Sequence, residues 1–446
     1  MQEEAASLDT HSKAGHLTTL TVNLTKREEK QIRTVPFHVE PNLEAIRISM
    51  KVAASRSPST IDLGLRDPRG TRGWSGGARS QIVIREETAT PGYLPGSLEA
   101  GDWAVLLGVY EVPAEGASVE LEIEQVLPLP RWIGGDLHSH TVHSDGAFTV
   151  DEAANRAQSA GLAFLALTDH NTYSQNLGYP RDTRVLFVPG MELTTYSGHV
   201  NLLGVPQPVD DFRVASQADL THHLKIAQER GALISVNHPF ETECSSCAWR
   251  WDWDPGPNMD WDAVEVWNGP WREANVLALA WWQSELESGR RRVAIGGSDT
   301  HSLENPHIRH GWPTTWVYAN RCRRDAILRA IRQGRVFLSY APSGPTIDLS
   351  CGAYRMGDVV PTAETESVTV VAKRLQPDDE IRIVTDRGIT QRTLVGLEEV
   401  AVDKRIQRHD ARFCRVEIWR QFPDVQRRLL AAMSNPLYFG ETWGTP

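Results

Sequence analysis

From Gly135 to Asp145 the chain reads Gly-Asp-Leu-His-Ser-His-Thr-Val-His-Ser-Asp, so that four residues of metal-ligand type lie within eight positions. Four more clusters of the same residue types follow, each where an apolar strand is predicted to end: Thr168-Asp169-His170, Gly190-Met191-Glu192 with His199, Asn237-His238-Pro239 and Ser298-Asp299-Thr300-His301. Histidine and carboxylate side chains from separate loops are what a site for several metal ions needs. The five clusters in series predict a multinuclear metal site.

The residues around these clusters predict helices and strands in alternation. Thr149 and Glu152 match a capping box, Gly161 ends that helix, and the apolar run from Leu162 to Leu167 predicts a buried parallel strand. The same order of helix and then strand returns over 217–236 and 272–297, and a helix at about 323–333 closes the region. This alternation predicts an α/β fold with a parallel β/α barrel, in which reactive groups lie at the carboxyl ends of the strands.

The two flanking regions differ in their pattern. Residues 18–128 and 342–446 contain short segments that alternate apolar and polar residues between glycine and proline turns, which is typical of antiparallel strands. We therefore expect an N-terminal β-sandwich domain over 1–130, the barrel over 131–341 and a C-terminal β-sandwich domain over 342–446. The stretch Leu127-Pro128-Leu129-Pro130 is interpreted as the first linker.

Composition excludes several classes of function. A net charge of −11 and a pI near 5.8 give no support for a nucleic-acid surface. No apolar run approaches the roughly 20 residues that span a bilayer, and the first residues are too polar for a secretory signal, so we expect no membrane association. Five scattered cysteines predict reduced thiols in a cytoplasmic protein. Cys244 and Cys247 form a Cys-x-x-Cys pair without a second such pair, and we interpret them as structural or incidental.

Together the five clusters resemble the polymerase and histidinol phosphatase (PHP) superfamily over about residues 131–340. That resemblance implies a distorted, seven-stranded barrel around up to three metal ions. The stretch from Pro342 through Gly344-Pro345-Thr346, and the later Ala432-Met433-Ser434-Asn435-Pro436-Leu437-Tyr438, are similar to the carbaryl hydrolase-like (CehA/McbA) branch of the superfamily.

The resemblance also implies a ligand for each ion. It assigns His138, His140 and Asp299 to the first ion, Glu192 as a bridge, His199 and His238 to the second ion, and Asp145, His170 and His301 to the third. Nitrogen and oxygen ligands without thiolate suit zinc, manganese or iron, and they do not rank these metals. We therefore expect two or three divalent ions.

Four further residues are candidates for catalysis beside Glu192. Asp169 follows a predicted strand and is expected to orient an imidazole or move a proton. His143 is a candidate for substrate contact or proton transfer, with a non-ligating position near the site as the alternative. Arg309 and His310 lie in a loop after Asp299, where they would suit an anionic substrate or the protonation of a leaving group. A solvated loop is the alternative for both.

The leading functional hypothesis is a metal-dependent phosphoesterase that uses a hydroxide bridging the metal ions of a trinuclear site. Two alternatives stay open: hydrolysis of a carbamate or other carboxylic ester at the same centre, and a non-catalytic PHP module. The expected partner is a small, anionic ester substrate, and self-association is left open. The tryptophan-rich segment 244–271 is expected either to cover the metals or to pack against a neighbouring β-domain.

Overall fold

The computed structural model describes residues 15–53, 58–180, 183–253, 261–361, 367–396, 401–406, 411–440 and 443. It is a mixed α/β structure that divides into two compact units. The first unit comprises Met1–Pro130, Pro180–Leu186 and Asn320–Arg323, and the second comprises Arg131–Tyr179, Phe187–Ala319 and Arg324–Pro446. Among the described helices, none combines the length and the apolar character that crossing a membrane would take.

The described residues of the first unit form eight strands and two short 3-10 helices. The strands make two antiparallel sheets of four. The strands are β1 Gly15–Leu24, β2 Ile32–Val39, β3 Ala45–Val52, β4 Thr60–Asp67, β5 Gly70–Trp74, β6 Gln81–Arg85, β7 Gly101–Glu111 and β8 Ala117–Val126. One sheet has the order β1-β8-β3-β6 and the other has the order β2-β7-β4-β5.

Both sheets of the first unit contribute to a single apolar core. Ile46 and Ile48 of β3 belong to the same buried cluster as Leu63 and Leu65 of β4. Residues two apart on a strand point to the same face, so the alternation in the sequence places one face of each sheet in this core. Two sheets around one core are what the predicted N-terminal sandwich requires.

The second unit begins with nine strands and four helices. The strands are β9 Arg131–Asp136, β10 Phe164–Leu167, β11 Leu186–Thr195, β12 Gly198–Leu203, β13 Leu233–Val236, β14 Ala263–Asn268, β15 Val293–Gly297, β16 Thr314–Ala319 and β17 Val336–Ser339. The helices are α1 Val150–Ser159, α2 Gln217–Glu229, α3 Glu273–Glu287 and α4 Arg324–Arg332. Thr149 caps α1 and accepts a hydrogen bond from the amide of Glu152, as its capping box predicts.

These nine strands form a mixed sheet in the order β15-β14-β13-β12-β11-β10-β9-β16-β17. β9 and β10 pair in parallel, as do β13, β14 and β15, but β12 runs antiparallel to both of its neighbours and β16 runs antiparallel to β9 and β17. The sheet is therefore mixed, where the sequence predicts a parallel one. Only Tyr196 and Ser197 separate β11 from β12, and a turn this short can join only antiparallel strands. Closure of the sheet into a barrel stays a prediction.

Ten C-terminal strands complete the second unit. They are β18 Thr346–Cys351, β19 Tyr354–Arg355, β20 Val359–Val360, β21 Val368–Lys373, β22 Glu380–Thr385, β23 Gly388–Leu394, β24 Ala401–Ile406, β25 Phe413–Phe422, β26 Arg427–Ser434 and β27 Leu437–Phe439. One sheet has the order β19-β18-β21-β24. The large sheet continues through β17, which pairs with β26, and then through β25, β22 and β23. The division into three domains stays a prediction.

Candidate metal centre

Strand ends bring the candidate ligands together, as the sequence predicts. His138 and His140 follow β9, His170 follows β10, His238 follows β13, and Asp299 and His301 follow β15. Glu192 and His199 lie instead on the two strands of the β11–β12 hairpin, whose register pairs Thr194 with His199. The five clusters of the sequence thus meet at one edge of the sheet.

The first group consists of His138, His140 and Asp299. The Oδ1 atom of Asp299 lies 3.3 Å from Nε2 of His138 and 3.0 Å from Nε2 of His140. The two Nε2 atoms are 3.1 Å apart, and both histidines are buried. Three ligand atoms at these separations can face one small cation.

Glu192 lies at the centre of the cluster and is fully buried. Its Oε1 atom lies 3.2 Å from Nδ1 of His199, 3.3 Å from Nε2 of His238 and 3.5 Å from Nε2 of His138. Its Oε2 atom lies 2.9 Å from Nδ1 of His170 and 3.5 Å from Nε2 of His140. Because five imidazoles surround its two oxygens, this carboxylate has the placement of a bridge between metal ions.

The third group is more accessible. Asp145, whose side chain is 59% exposed, lies 3.7 Å from Nε2 of His170 through Oδ2 and 3.4 Å from Nε2 of His301 through Oδ1. The rings of His140 and His301 stack with centroids 4.1 Å apart. His140, Asp145, His170 and His301 each offer a ligand atom within 4.8 Å of the others. This open side of the cluster is where a substrate can reach the site.

The donor set fits divalent metal ions. Nε2 of His199 is buried and has no hydrogen-bond partner among the described residues, and the same holds for Nδ1 of His140 and of His238. Buried polar atoms normally have a partner, so imidazoles with an unpartnered nitrogen mark the cluster as a place where a further group binds. Imidazole and carboxylate together suit zinc, manganese or iron.

The electrostatics of the centre hold its carboxylates in the ionised form. Burial alone would raise the pKa of Glu192, but the positive charges of His138 and His199 keep it well below its ordinary value. Burial would likewise raise the pKa of Asp299, and His138 and His140 keep it well below the ordinary value. Metal ions that bind here would displace protons from the histidines and meet carboxylates that are already charged.

The pKa values of several histidines of the centre shift in the opposite direction. Burial alone would lower the pKa of His301, but its hydrogen bond with Asp145 and the charge of Asp299 raise the pKa to about 9. The pKa of His238 is also raised, because Glu192 outweighs the effect of burial. Proton and metal therefore compete for these imidazoles.

Two of the candidate ligands have a backbone conformation that L-residues rarely adopt. The φ angle is 25° at His238 and 52° at Asp299, and Asn171, directly after His170, has a φ of 54°. Residues with positive φ other than glycine cost free energy, and they concentrate at functional sites. The strained residues here all lie where a strand ends at the cluster.

Glu265 of β14 is a member of the cluster that the sequence interpretation missed. Its side chain is 2% exposed, and it lies 3.1 Å from Nδ1 of His138 through Oε1. Its Oε2 atom accepts hydrogen bonds from the backbone amide of His238 at 3.0 Å and from Nδ2 of Asn268 at 3.1 Å. Its signal in the sequence is a lone carboxylate inside the apolar run of β14, since buried charges are rare unless they are paired.

Asn237 and Asn268 are two further residues without an assigned role in the sequence interpretation. Nδ2 of Asn237 donates to Oε1 of Glu192 at 2.8 Å. Nδ2 of Asn268 lies 3.2 Å from Oδ2 of Asp299 as well as close to Glu265. Both amides orient carboxylates of the centre, which fixes the direction of the oxygens that remain for metal.

The structure places Asp169 beneath the loop that leads to Asp145. Its buried carboxylate accepts hydrogen bonds from the amide of Thr141 at 2.8 Å and from the hydroxyl of Ser144 at 2.8 Å. His143 lies on the exposed side of this loop, with Nδ1 2.7 Å from Oγ of Ser174. Asp169 thus fixes the loop geometry, and the proposed catalytic roles of both residues stay predictions.

The loop after His301 places Arg309 and His310 beside the centre rather than in it. Arg309 is exposed, and its guanidinium lies over the ring of Trp312. His310 is 4% exposed, and burial lowers its pKa to about 4. Gly311, the next residue, donates its amide to Oδ2 of Asp136 at 2.7 Å, while Oδ1 of Asp136 accepts from the amide of His138 at 3.2 Å. The loop is thereby tied to the start of the first ligand cluster.

The tryptophans of segment 244–271 contact mainly one another and α3. The ring of Trp253 stacks on Trp281 with centroids 3.9 Å apart, and Trp249 is packed against Trp261. Trp271 lies 6.2 Å from Trp419 of β25. The described contacts thus favour packing over a cover for the metals, and residues 254–260, with Pro255-Gly256-Pro257, lie outside the described residues.

Segment 244–271 also contains two of the five cysteines, which were expected to be reduced. Cys244 and Cys247 are joined by a disulfide, with Cα atoms 5.4 Å apart across two serines. The prediction of reduced thiols is therefore wrong for this pair. Cys322, Cys351 and Cys414 form no disulfide with any residue that the structure describes.

A known protein family matches the part of the chain that contains the first ligand clusters. Residues 136–237 match the PHP domain. Six of the nine candidate ligands lie within this match, and His238, Asp299 and His301 follow it. The match supports the PHP superfamily, as the resemblance of the sequence predicts, whereas the carbaryl hydrolase-like branch stays a prediction.

Comparison with individual proteins gives shorter or more distant similarities. The DNA polymerase/3'-5' exonuclease PolX of Bacillus subtilis (strain 168) is 46% identical over 41 residues, which are 9% of this chain and 7% of that protein. A two-domain protein of Bacteroides vulgatus ATCC 8482, which contains a predicted PHP-like metal-dependent phosphoesterase, is 16% identical, with a TM-score of 0.39 over 68% of this chain and 95% of that one. An amidohydrolase of Chromobacterium violaceum is 17% identical, with a TM-score of 0.28 over 39% of this chain and 89% of that one.

Proposed function

We propose that this chain, whose residues 136–237 match the PHP domain, is a metal-dependent hydrolase that cleaves phosphoesters. The observation that carries the proposal is the position of Glu192. Its two carboxylate oxygens together face five imidazoles, Oε1 at 3.2–3.5 Å and Oε2 at 2.9–3.5 Å. A shared carboxylate at the centre of a histidine cluster is the ligand arrangement of a hydrolytic site with two or three metal ions.

In this proposal three groups of residues hold the ions. His138, His140 and Asp299 hold the first ion, His199 and His238 hold the second, and Asp145, His170 and His301 hold the third. Divalent ions at these positions would lower the pKa of water and stabilise the charge that develops on a phosphoryl oxygen. Glu192, held by Asn237, fixes the spacing of the first two groups.

The surrounding residues orient this set. Glu265 fixes the ring of His138 and the amide of His238, and Asp169 fixes the loop that carries Asp145. Because burial excludes water from Glu192 and the histidines around it, their charges act more strongly on a substrate than charges at the surface would. The more exposed group around Asp145 and His301 is the side from which the substrate approaches.

The proposal is tested by assaying the protein loaded in turn with zinc, manganese and iron(II). A phosphomonoester, a phosphodiester and an aryl carbamate of the same phenol are compared, and turnover of a phosphoester is expected. Glu192→Gln should lower kcat by at least about 100-fold, because an amide is a poorer metal ligand.

Glu285→Gln serves as the control. Glu285 is a buried carboxylate of α3 that pairs with Arg290 and Arg292, and it contacts none of the candidate ligands. Turnover of the carbamate without any turnover of either phosphoester would contradict the proposal and favour the carboxylic ester alternative. Equal activity of Glu192→Gln and the wild type would contradict the role of the metal centre.

A further inference from the structure

A cavity of about 820 Å³ opens beside the candidate metal centre. Thr300, which lies between the candidate ligands Asp299 and His301, forms part of its wall. The other walls come from the end of α1, from the loop around Arg309 and from Pro342 and Ser343. The cavity therefore borders the segment of chain that carries Asp299 and His301, although none of the nine candidate ligands lines it.

The lining is positively charged although the chain as a whole is acidic. Arg156 and Arg309 line the cavity, and none of the described residues around it is an aspartate or a glutamate. Glu152, one turn before Arg156, binds the amide and hydroxyl of Thr149 at 2.8 and 2.9 Å instead. Neither arginine has an ion-pair partner in the described parts of the chain. Two guanidinium groups without an ion pair suit an anionic ligand.

Aromatic rings hold these cations in place. The guanidinium of Arg309 lies 5.3 Å from the ring centre of Trp312, and that of Arg156 lies 4.5 Å from the ring centre of Phe148. The ring of His310 packs against Phe148, and its buried Nε2 has no hydrogen-bond partner within the described ranges. Leu303 and Ile308 add apolar surface to the lining. The cavity thus combines flat and apolar walls with positive charge.

The positive lining continues away from the metals. A second cavity of about 630 Å³ shares Ser343 with the first, and Lys373, Arg374 and Arg420 line it. Arg420 pairs with the buried Asp379 at 2.7 Å, so the positive charge of this lining comes from Lys373 and Arg374. Nη1 of Arg374 donates to the carbonyl of Pro342 at 2.9 Å, which joins the two linings. The described lining of this second cavity also lacks acidic side chains. The lining that adjoins the first cavity at Ser343 therefore adds positive charge through Lys373 and Arg374.

We propose that the first cavity binds the leaving group of the substrate, and that this leaving group contains a flat apolar part and an anionic group besides the phosphate that is attacked. The inference rests on the proposed phosphoester hydrolysis. Arg156 and Arg309 bind the second anionic group, and Trp312 packs against the flat part. The substrate class is thus an aryl or heterocyclic phosphoester with an additional carboxylate or phosphate.

Two aryl phosphates test this proposal with the metal-loaded protein. They are 4-carboxyphenyl phosphate and 4-carbamoylphenyl phosphate, which have nearly the same shape and differ by one negative charge. The wild type should have a kcat/KM at least about tenfold higher for the carboxylate. Arg156→Gln and Arg309→Gln should each reduce this ratio, because each removes a cation that binds only the charged leaving group.

Arg329→Gln is the matched control, since Arg329 is an exposed arginine of α4 that pairs with Asp325 and lines neither cavity. It should leave the ratio unchanged. The proposal would be overturned if the kcat/KM ratio of the two substrates were near one in the wild type. It would also be overturned if both cavity variants kept the wild-type ratio. In either case the protein would still hydrolyse phosphoesters, so the proposed function would stand. Because the ratio compares two substrates on one protein sample, partial misfolding of a variant does not change it.

Hydrolysis of neither compound would contradict the proposed function instead. The cavity is then tested by calorimetric titration of the metal-loaded protein with the same two compounds. The wild type should bind the carboxylate compound more tightly than the amide compound. Arg309→Gln should weaken binding of the carboxylate about tenfold or more, which would support the cavity as an anion site. Equal binding of both compounds would overturn it.

Discussion

At the scale of single residues, Glu265 shapes the candidate metal centre by positioning two of its histidines. Its carboxylate contacts Nδ1 of His138, which leaves Nε2 of the same ring to face Asp299 and His140. The same carboxylate binds the amide of His238, where the backbone has a positive φ. One buried group therefore sets the orientation of a ligand from each of the first two groups.

Replacing Glu265 by glutamine should weaken metal binding with little change in shape. The amide keeps one acceptor oxygen but turns a donor group toward His138 or the amide of His238, each of which needs an acceptor. We expect metal affinity to fall about 10- to 100-fold. Competition with a chromophoric chelator measures the change, with Glu285→Gln as a control that should keep the wild-type affinity. Unchanged affinity of Glu265→Gln would show that the carboxylate does not position these histidines.

At the scale of elements, β15 approaches the first ligand cluster closely, and Gly297 makes this approach feasible. A Cβ atom at this position would collide with Cβ of His138 and would lie 2.7 Å from Oε1 of Glu265. Neither neighbour can move freely, because both are buried and joined to each other. The end of β15 therefore needs glycine for packing.

We expect Gly297→Ala to separate β15 from His138 and to lower both metal affinity and stability. Overpacking of a buried site costs about 1–3 kcal/mol of unfolding free energy. Calorimetry and metal titration measure the two effects. Gly388→Ala is the comparison, because a Cβ there meets no atom within 4 Å, although a positive φ of 79° makes it mildly strained. A Gly297→Ala protein with wild-type metal affinity would contradict this account of β15.

Charged side chains join strands β22, β23 and β26 in the C-terminal part. Glu380 binds Arg382 at 2.9 Å, Arg392 at 3.0 Å and Arg428 at 3.1 Å, and the hydrogen bonds of Arg382 are the main cause that lowers its pKa to about 2. A carboxyl group whose pKa is lower in the folded state stabilises that state above its ordinary pKa and loses this effect as the pH falls toward the lowered value.

Glu380→Gln should therefore destabilise the protein at neutral pH and not at strongly acidic pH. We expect a loss of about 1–2 kcal/mol at pH 7, seen as a melting temperature about 2–4 °C lower. The difference should shrink between pH 4.5 and about 2, where Glu380 itself becomes protonated. Melting curves of both proteins across this range provide the measurement. A difference that stays constant with pH would mean that the effect does not come from the charge of Glu380.

Local sequence patterns predicted most of the helices and strands. The features that depend on pairing between distant residues were not predicted. The capping box of Thr149 and the glycine at 161 predicted α1, and the apolar run ending at Leu167 predicted β10. The direction of β12 could not be read from periodicity, because parallel and antiparallel strands share the same alternation. Glu265 was missed because its partners, His138 and the amide of His238, lie 127 and 27 residues away in the chain.

At the scale of the whole molecule, all nine candidate ligands belong to the second unit. They come from loops and strands between His138 and His301, and the first unit contributes none of them. Metal ions would therefore hold together the ends of β9, β10, β13 and β15 and the β11–β12 hairpin. A ligand that binds only the folded form stabilises that form in proportion to the logarithm of its concentration over Kd.

This distribution predicts that metal stabilises one unit selectively. In differential scanning calorimetry of the full chain we expect two transitions. Added metal should raise the temperature of only the transition that belongs to the second unit. At a free metal concentration 100 times Kd, the unfolding free energy of that unit should increase by about 2.7 kcal/mol. A variant with His138→Ala and His140→Ala should lose this shift and keep the other transition. Two results would contradict this prediction: metal that raises both transition temperatures equally, or a single transition that shifts as a whole. Either result would show that the two units unfold together, because metal bound only to the second unit stabilises the first unit only when their unfolding is coupled.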